Sequence, residues 1–406
     1  MKKILIVISA FIGTVIMANA QHPVSIVGKW RGSLIGFNNA LIPFNFEFVA
    51  TKKDTTLYFI NGKELYYGGK LIRKNDSIMV AINQFDTELA LSVQKNSTLL
   101  GFWRKQNGAG APTPIEASKE NISRFKSTQI QPTNNISGKY DVIFTNDTGK
   151  QTKAVGLFEQ NGSQIGLTFL RASGDSRFSE GIINGNQLFS SVFIGYSPLL
   201  FTGIINADGS IAGEQIGLKS KLNFVAVKNK DAQLSNTTKA NSLTKDNQPF
   251  NFSFRNIQGK LVSLSDARYK NKAVIVTIGG TWCPNCADEA MFLTNWFKKN
   301  QQRGIEIITI QFEAVNDFAY AQQQMKRFKQ RFNIPYEQVF GGLANNDSVL
   351  EALPSLAEFK AFPTTLFLNK KGALVKINSG FAGPATGKFH TDLIKEFNEI
   401  VDELLQ

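Results

Sequence analysis

The stretch that decides the fold runs from Ala273 to Phe297, AVIVTIGGTWCPNCADEAMFLTNWF. Ala273 to Ile278 is an apolar run broken only by Thr277, suited to a strand buried on both faces. Cys286, Ala290, Leu293 and Phe297 then recur at helical spacing and give the next segment a core face. A strand giving way to a helix here puts Cys283 at or just before the first helical turn. Unpaired backbone N–H groups and the positive end of the helix dipole favour a thiolate at that place. Cys283 is therefore the expected nucleophile, attacking a disulfide to form a mixed disulfide. Cys286, one helical turn further in, is the expected buried partner that resolves it.

The residue census narrows the chemistry. The 406 residues include only two cysteines and two histidines, His22 and His390. A structural zinc site normally takes four Cys or His ligands, which Cys283, Cys286 and His390 cannot supply alone. Any intramolecular disulfide must join Cys283 to Cys286. Closing so short a loop constrains the unfolded chain little, so stabilisation is a poor reason for such a bond. Half of a metal site and an inert disulfide are the bland readings of the pair, and both fit this census badly.

Downstream, Ile305 to Ile310 reads as a second buried strand, and Phe318, Ala321, Met325, Phe328 and Phe332 stripe a second helix. Thr364 to Leu368, the turn Lys370-Lys371-Gly372 and Leu374 to Ile377 read as a hairpin. Phe389, Leu393, Phe397, Ile400 and Leu404 stripe a final amphipathic helix. Alternating strands and helices predict an α/β domain over residues 249–406. Upstream of it, residues 230–248 (KDAQLSNTTKANSLTKDNQ) have almost no apolar side chains and read as a linker.

From about residue 25 to 229 the pattern changes to antiparallel β. Phe44-Asn45-Phe46-Glu47-Phe48 alternates with period two. Asn61-Gly62, Asn161-Gly162, Asn184-Gly185 and Asp208-Gly209 supply turns that need positive φ. Gly28-Lys29-Trp30 recurs as Gly138-Lys139-Tyr140 at an offset of 110. At an offset of 112, Glu47, Gly69 and Gly101 match Glu159, Gly181 and Gly213. The expectation is an all-β region of two copies, residues 21–130 and 131–229, each a small barrel or sandwich. The opening Gly-x-Trp is similar to the start of lipocalin-like barrels, over a few residues only. The polar stretch from Gly108 to Asn135, with Pro112, Pro114 and Pro132, reads as a connector packed across a barrel mouth.

At the N-terminus, Met1-Lys2-Lys3, the apolar run Ile4 to Met17 and Ala18-Asn19-Ala20 have the form of an export signal covering residues 1–20. The run is shorter than the roughly 20 apolar residues that span a bilayer. The expected address is an oxidising compartment, the periplasm. The formal charge of +13 falls to about +11 without Lys2 and Lys3 and attracts anionic surfaces in a salt-dependent way. The lysines are scattered, and with neither a basic helix nor finger spacing, nucleic acid is not an expected partner.

Pro249-Phe250, Gly259-Lys260, Ser263-Leu264-Ser265, Gly280-Thr281-Trp282-Cys283 and Phe362-Pro363-Thr364 together resemble the TlpA-type thioredoxin pattern over about 155 residues. The resemblance implies a thioredoxin fold with an extra helical insertion between Phe312 and Phe362. It implies a cis proline at Pro363 packed against the disulfide, where the residues alone allow an ordinary trans proline opening an edge strand. It implies a substrate surface at Trp282, Phe362 and Pro363, although Phe362 is bulkier than the residue usual before that proline. It also implies that Glu289, on the Cys286 face of the helix, assists proton movement. The residues alone allow a solvated surface acid beside Asp288.

Two departures shape the expected activity. Thioredoxins proper carry a buried acid six residues before the first cysteine, and here that residue is Thr277, which cannot shuttle protons by ionising near neutral pH. Pro284-Asn285 lacks the histidine of strongly oxidising enzymes, which favours a reductant or isomerase. The expected function is reduction or isomerisation of protein disulfides, with a membrane thiol donor re-reducing the pair and no metal or organic cofactor. The rivals are a thiol peroxidase of the same fold and a binding protein whose β-rich half captures a ligand or partner.

Overall fold

The computed structural model describes residues 25–94, 98–120, 122–128, 130–234 and 249–406. The expected export signal and residues 235–248 of the expected linker lie outside the described residues. Eight antiparallel strands, from Gly28–Ile35 to Thr113–Ser118, close into a barrel. Alternation explains which side chains fill it. Within Leu41–Ala50, Phe44, Phe46 and Phe48 are buried, while Asn45 and Glu47 between them face outward. Gly62 makes the tight turn before Glu64–Lys74 with φ +58.

A second ring of eight strands lies between Gly138 and Lys228, closed by pairing of Gln151–Asn161 with Gln164–Arg171. A two-residue strand, Gly174–Asp175, is added at its rim. The repeat is physical as well as sequential. Trp30 donates its indole N–H to the carbonyl of Ile26 at 2.7 Å, and Tyr140 donates its hydroxyl to the carbonyl of Ile136 at 3.1 Å. Gly101 and Gly213 share one constraint: a Cβ would lie 2.0 Å from the carbonyl oxygen of Ala90 and 2.1 Å from that of Thr202 on the adjoining strand.

Two expectations need correction. The stretch Gly108 to Asn135 is not all connector, because Thr113–Ser118 is the strand that completes the first barrel, pairing with both Gly28–Ile35 and Thr98–Lys105. Its polar, proline-marked composition hides an inward-facing pair, Ile115 and Ala117, whose burial decides the matter. The first barrel is instead plugged from the second: Phe193 packs edge-on against Phe44 and Phe59, and the Gly195 carbonyl accepts from Thr87 and Trp103. The expected linker is also partly packed, since Ala232 is buried with Val155, Leu170 and Ala382.

The C-terminal α/β domain is a seven-stranded sheet. Ala273–Gly279 sits between Ile305–Glu313, parallel to it, and Thr364–Leu368, antiparallel. Its continuous apolar sequence follows from cover on both faces: Val274, Val276 and Ile278 join one core, Ala273 and Ile275 the other. Helix Pro284–Asn300 leaves the C-terminal end of this strand, and helices Phe318–Phe332 and Lys388–Leu405 pack on the same core through Phe328, Phe397 and Ile400. The insertion between Phe312 and Phe362 is mixed rather than helical: helix Phe318–Phe332, strand Glu337–Leu343 and helix Asn346–Ala352. Its strand pairs in parallel with Ile305–Glu313, which helical periodicity could not foretell.

Candidate active site

Cys283 is the N-cap of helix Pro284–Asn300, with extended backbone, and Pro284 occupies the first turn, where its missing N–H costs nothing. The Cys283 sulfur accepts the backbone N–H of Cys286 at 3.2 Å, the interaction that would hold a thiolate there. The two cysteines form a disulfide. Cys286 is buried as expected, and Cys283 is no more open: they are 5% and 4% exposed.

Strand pairing brings the distant proline to this point. Ile278 pairs with Thr364, so Pro363 lies beside Gly279, and a Cβ on Gly279 would stand 3.6 Å from the Cys286 sulfur. The Phe362–Pro363 bond is cis, as the resemblance implies. Half-buried Trp282 donates its indole N–H to the Phe312 carbonyl at 3.0 Å and meets the Phe362 ring edge-on at 5.6 Å. Phe362 also packs on Phe359 and Phe312, so its bulk completes an aromatic cluster.

Glu289 is not a solvated surface acid. It is 5% exposed and accepts the Thr365 hydroxyl at 2.5 Å. Burial pushes its pKa up to about 7, against the pull of that hydrogen bond. Glu289, Cys286, Thr277, Thr309 and Gln311 line one small cavity of about 10 Å³, room for about one water. Thr277 fills the place of the missing acid and donates its hydroxyl to Thr309 at 2.9 Å. Asp288 is also buried, but points away from the pair toward Arg177 of the second barrel, at 2.6 Å.

Residues 246–377 match the AhpC/TSA family. The thiol-disulfide oxidoreductase ResA of Bacillus subtilis strain 168 is 25% identical over 154 residues, 38% of this chain and 78% of that protein. ResA of Geobacillus thermodenitrificans strain NG80-2 is 26% identical over 144 residues, 36% of this chain and 74% of that protein. The C-terminal domain is thioredoxin-like. With these relatives, the chain is an enzyme, a thiol-disulfide oxidoreductase. Among solved structures, a thioredoxin family thiol:disulfide interchange protein of Chlorobium tepidum TLS is 22% identical with a TM-score of 0.29, covering 40% of this chain and 100% of that one.

The thioredoxin-like domain holds one further buried acid that the sequence reading missed. Glu313 accepts both the backbone N–H and the hydroxyl of Thr281, at 3.2 and 2.8 Å, and so braces the turn that presents Trp282 and Cys283. Burial raises its pKa to about 7, and the Asp86 carboxylate of the first barrel adds to the rise. An acid ending an apolar parallel strand was the available signal, since such strand ends face ligand sites in α/β sheets. Thr365 and Arg177 carried no comparable signal.

Proposed function

We propose that this protein is an exported reductase or isomerase of protein disulfides acting through Cys283 and Cys286. The observation that supports it best is the placement of the pair, at a helix N-cap beside a cis proline, with a buried carboxylate sharing the Cys286 cavity. In the reduced protein the Cys283 thiolate attacks one sulfur of a substrate disulfide. That bond breaks, the leaving sulfur takes a proton, and a mixed disulfide forms. Cys286 then gives its proton to Glu289 and attacks the Cys283 sulfur, releasing the second substrate thiol and leaving the disulfide seen here. Two electrons have passed to the substrate, and a membrane thiol donor returns them.

A carboxylate with a pKa near 7 is suited to taking that proton at neutral pH. Trp282, Phe362 and Pro363 supply the surface on which the substrate rests. The expected export signal and an oxidising compartment fit this traffic, because disulfides persist there and need repair. The test is the reduction potential of the Cys283–Cys286 pair in glutathione or thioredoxin buffers. A value near about −270 mV supports reduction, and one near about −120 mV reverses the direction of electron flow. Consumption of hydrogen peroxide faster than of disulfides would replace this reading with the peroxidase.

A further inference from the structure

The second barrel reaches the redox site through one connection, residues 172–178, between its strands Gln164–Arg171 and Ser179–Asn184. The Ser173 carbonyl accepts the side-chain N–H of Asn285, inside the C-x-x-C motif, at 3.0 Å. Gly174 forms a parallel bridge to Phe381, and Asp175 accepts the Gly383 N–H at 3.0 Å. The Gly380 N–H is in turn bound to the Pro363 carbonyl at 2.7 Å. The hairpin tip thus spans from the cysteine motif to the loop that borders the cis proline. Arg177 anchors it, pairing with Asp288 on the active-site helix and with Glu64 of the first barrel. Burial works against the Arg177 charge, but the two carboxylates more than offset it, and its pKa is raised. Val155, Leu170 and Ala382 pack beside this contact.

We propose that the Ala172–Asp175 hairpin tip is a specificity wall of the redox site, restricting it to small disulfides and to disulfides in flexible segments. The inference rests on the disulfide-reducing reading. The wall lies against Asn285 and Phe381, and half-buried Trp282 and Phe362, packed on each other and on Phe312, are the open side of the pair. An extended segment enters along that open side. A disulfide set in a broad folded surface meets the barrel before its sulfur reaches Cys283.

The test uses the pre-reduced full-length chain in single-turnover reactions with oxidised glutathione and with insulin, whose disulfides lie in a folded protein. Arg177→Met removes the anchor. Gly174→Val drives a side chain against the Phe381 carbonyl oxygen, where even a Cβ would stand at 2.4 Å. Both rates come from one preparation, so loss of folded protein cancels from their ratio. The insulin-to-glutathione ratio should rise about fivefold or more in both variants. A smaller rise, no change or a fall in the ratio overturns the wall, a fall meaning that the hairpin helps large substrates to dock. Failure of the wild-type chain to reduce either disulfide overturns the underlying reading instead.

Discussion

The two barrels share strand order and anchoring hydrogen bonds, yet among the described residues it is the second that hydrogen-bonds to the cysteine motif. Their third and fourth strands show why. In the first barrel, Thr55–Asn61 passes to Glu64–Lys74 through residues 62 and 63 alone. In the second, Arg171 reaches Ser179 through residues 172–178, and this longer connection carries Ser173, Asp175 and Arg177 to the thioredoxin-like domain. A closed barrel tolerates insertion at a surface connection far better than within its strands. The second ring keeps the barrel and uses this one connection at the site. The first copy contributes charges instead, Glu64 to Arg177 and Asp86 to Tyr320 and Arg327.

The sharpest way to break the equivalence of the barrels is at their matched aromatics. Trp30→Ala and Tyr140→Ala each open a cavity in a filled core, and each should cost about 4 kcal/mol in urea unfolding. If the copies are equivalent, the two costs agree within about 1 kcal/mol, beyond the error expected of such comparisons. A cost confined to one of them would mean that the repeat is topological only.

The difference between the barrels is tested by two arginines. Arg177→Met strands the buried Asp288 and the partly buried Glu64 carboxylates and should cost about 3 kcal/mol. Arg104→Met, which removes a half-exposed partner of Glu88 on the first barrel, should cost less than about 1 kcal/mol. Equal losses in thermal or urea unfolding would show that the Arg177 contact is no more than surface decoration.

Much of this was legible in the sequence, and the physical reasons are uneven. The strand Ala273–Gly279 and the helix after it were readable because burial on two faces leaves a long apolar run and burial on one leaves a stripe. Pro363 was readable only through resemblance, since its place beside Gly279 comes from pairing across more than eighty residues of chain. Glu289 was readable as a neighbour of Cys286, but its burial depends on the Thr365 strand and the cavity. Thr113–Ser118 was hidden because an edge-closing strand with Pro114 has a loop-like composition. Arg177 was not readable, because its partners, Glu64 and Asp288, come from two distant parts of the chain and share no local pattern.

The buried acids carry the contrast between the barrels into the redox site. Glu289 and Glu313 both have pKa values raised by burial from 4.5 to about 7, so the folded chain binds more protons than the unfolded one between those values. Their contribution to stability is therefore greatest below pH 4.5 and is lost as pH rises toward 7. Each should account for a loss on the order of 3 kcal/mol over that window. Glu289→Gln and Glu313→Gln should each flatten the fall, as read from urea midpoints across that pH range. A slope unchanged in both variants would place the titration elsewhere.

The smallest effect separates the two acids. Glu313 feels the Asp86 carboxylate of the first barrel, whereas the rise at Glu289 comes from burial, opposed by the Thr365 hydroxyl. Asp86→Asn keeps the side chain's size and removes the charge, so the Glu313 titration should fall by a fraction of a pKa unit, with Glu289 unmoved. Carboxyl resonances followed by NMR through the titration distinguish the two. A shift at Glu313 alone would show that the first barrel acts on the turn before Cys283 by its field, where the second acts by contact. A shift at both would mean that Asp86 acts by holding Tyr320 and Arg327, and so helix Phe318–Phe332, in place.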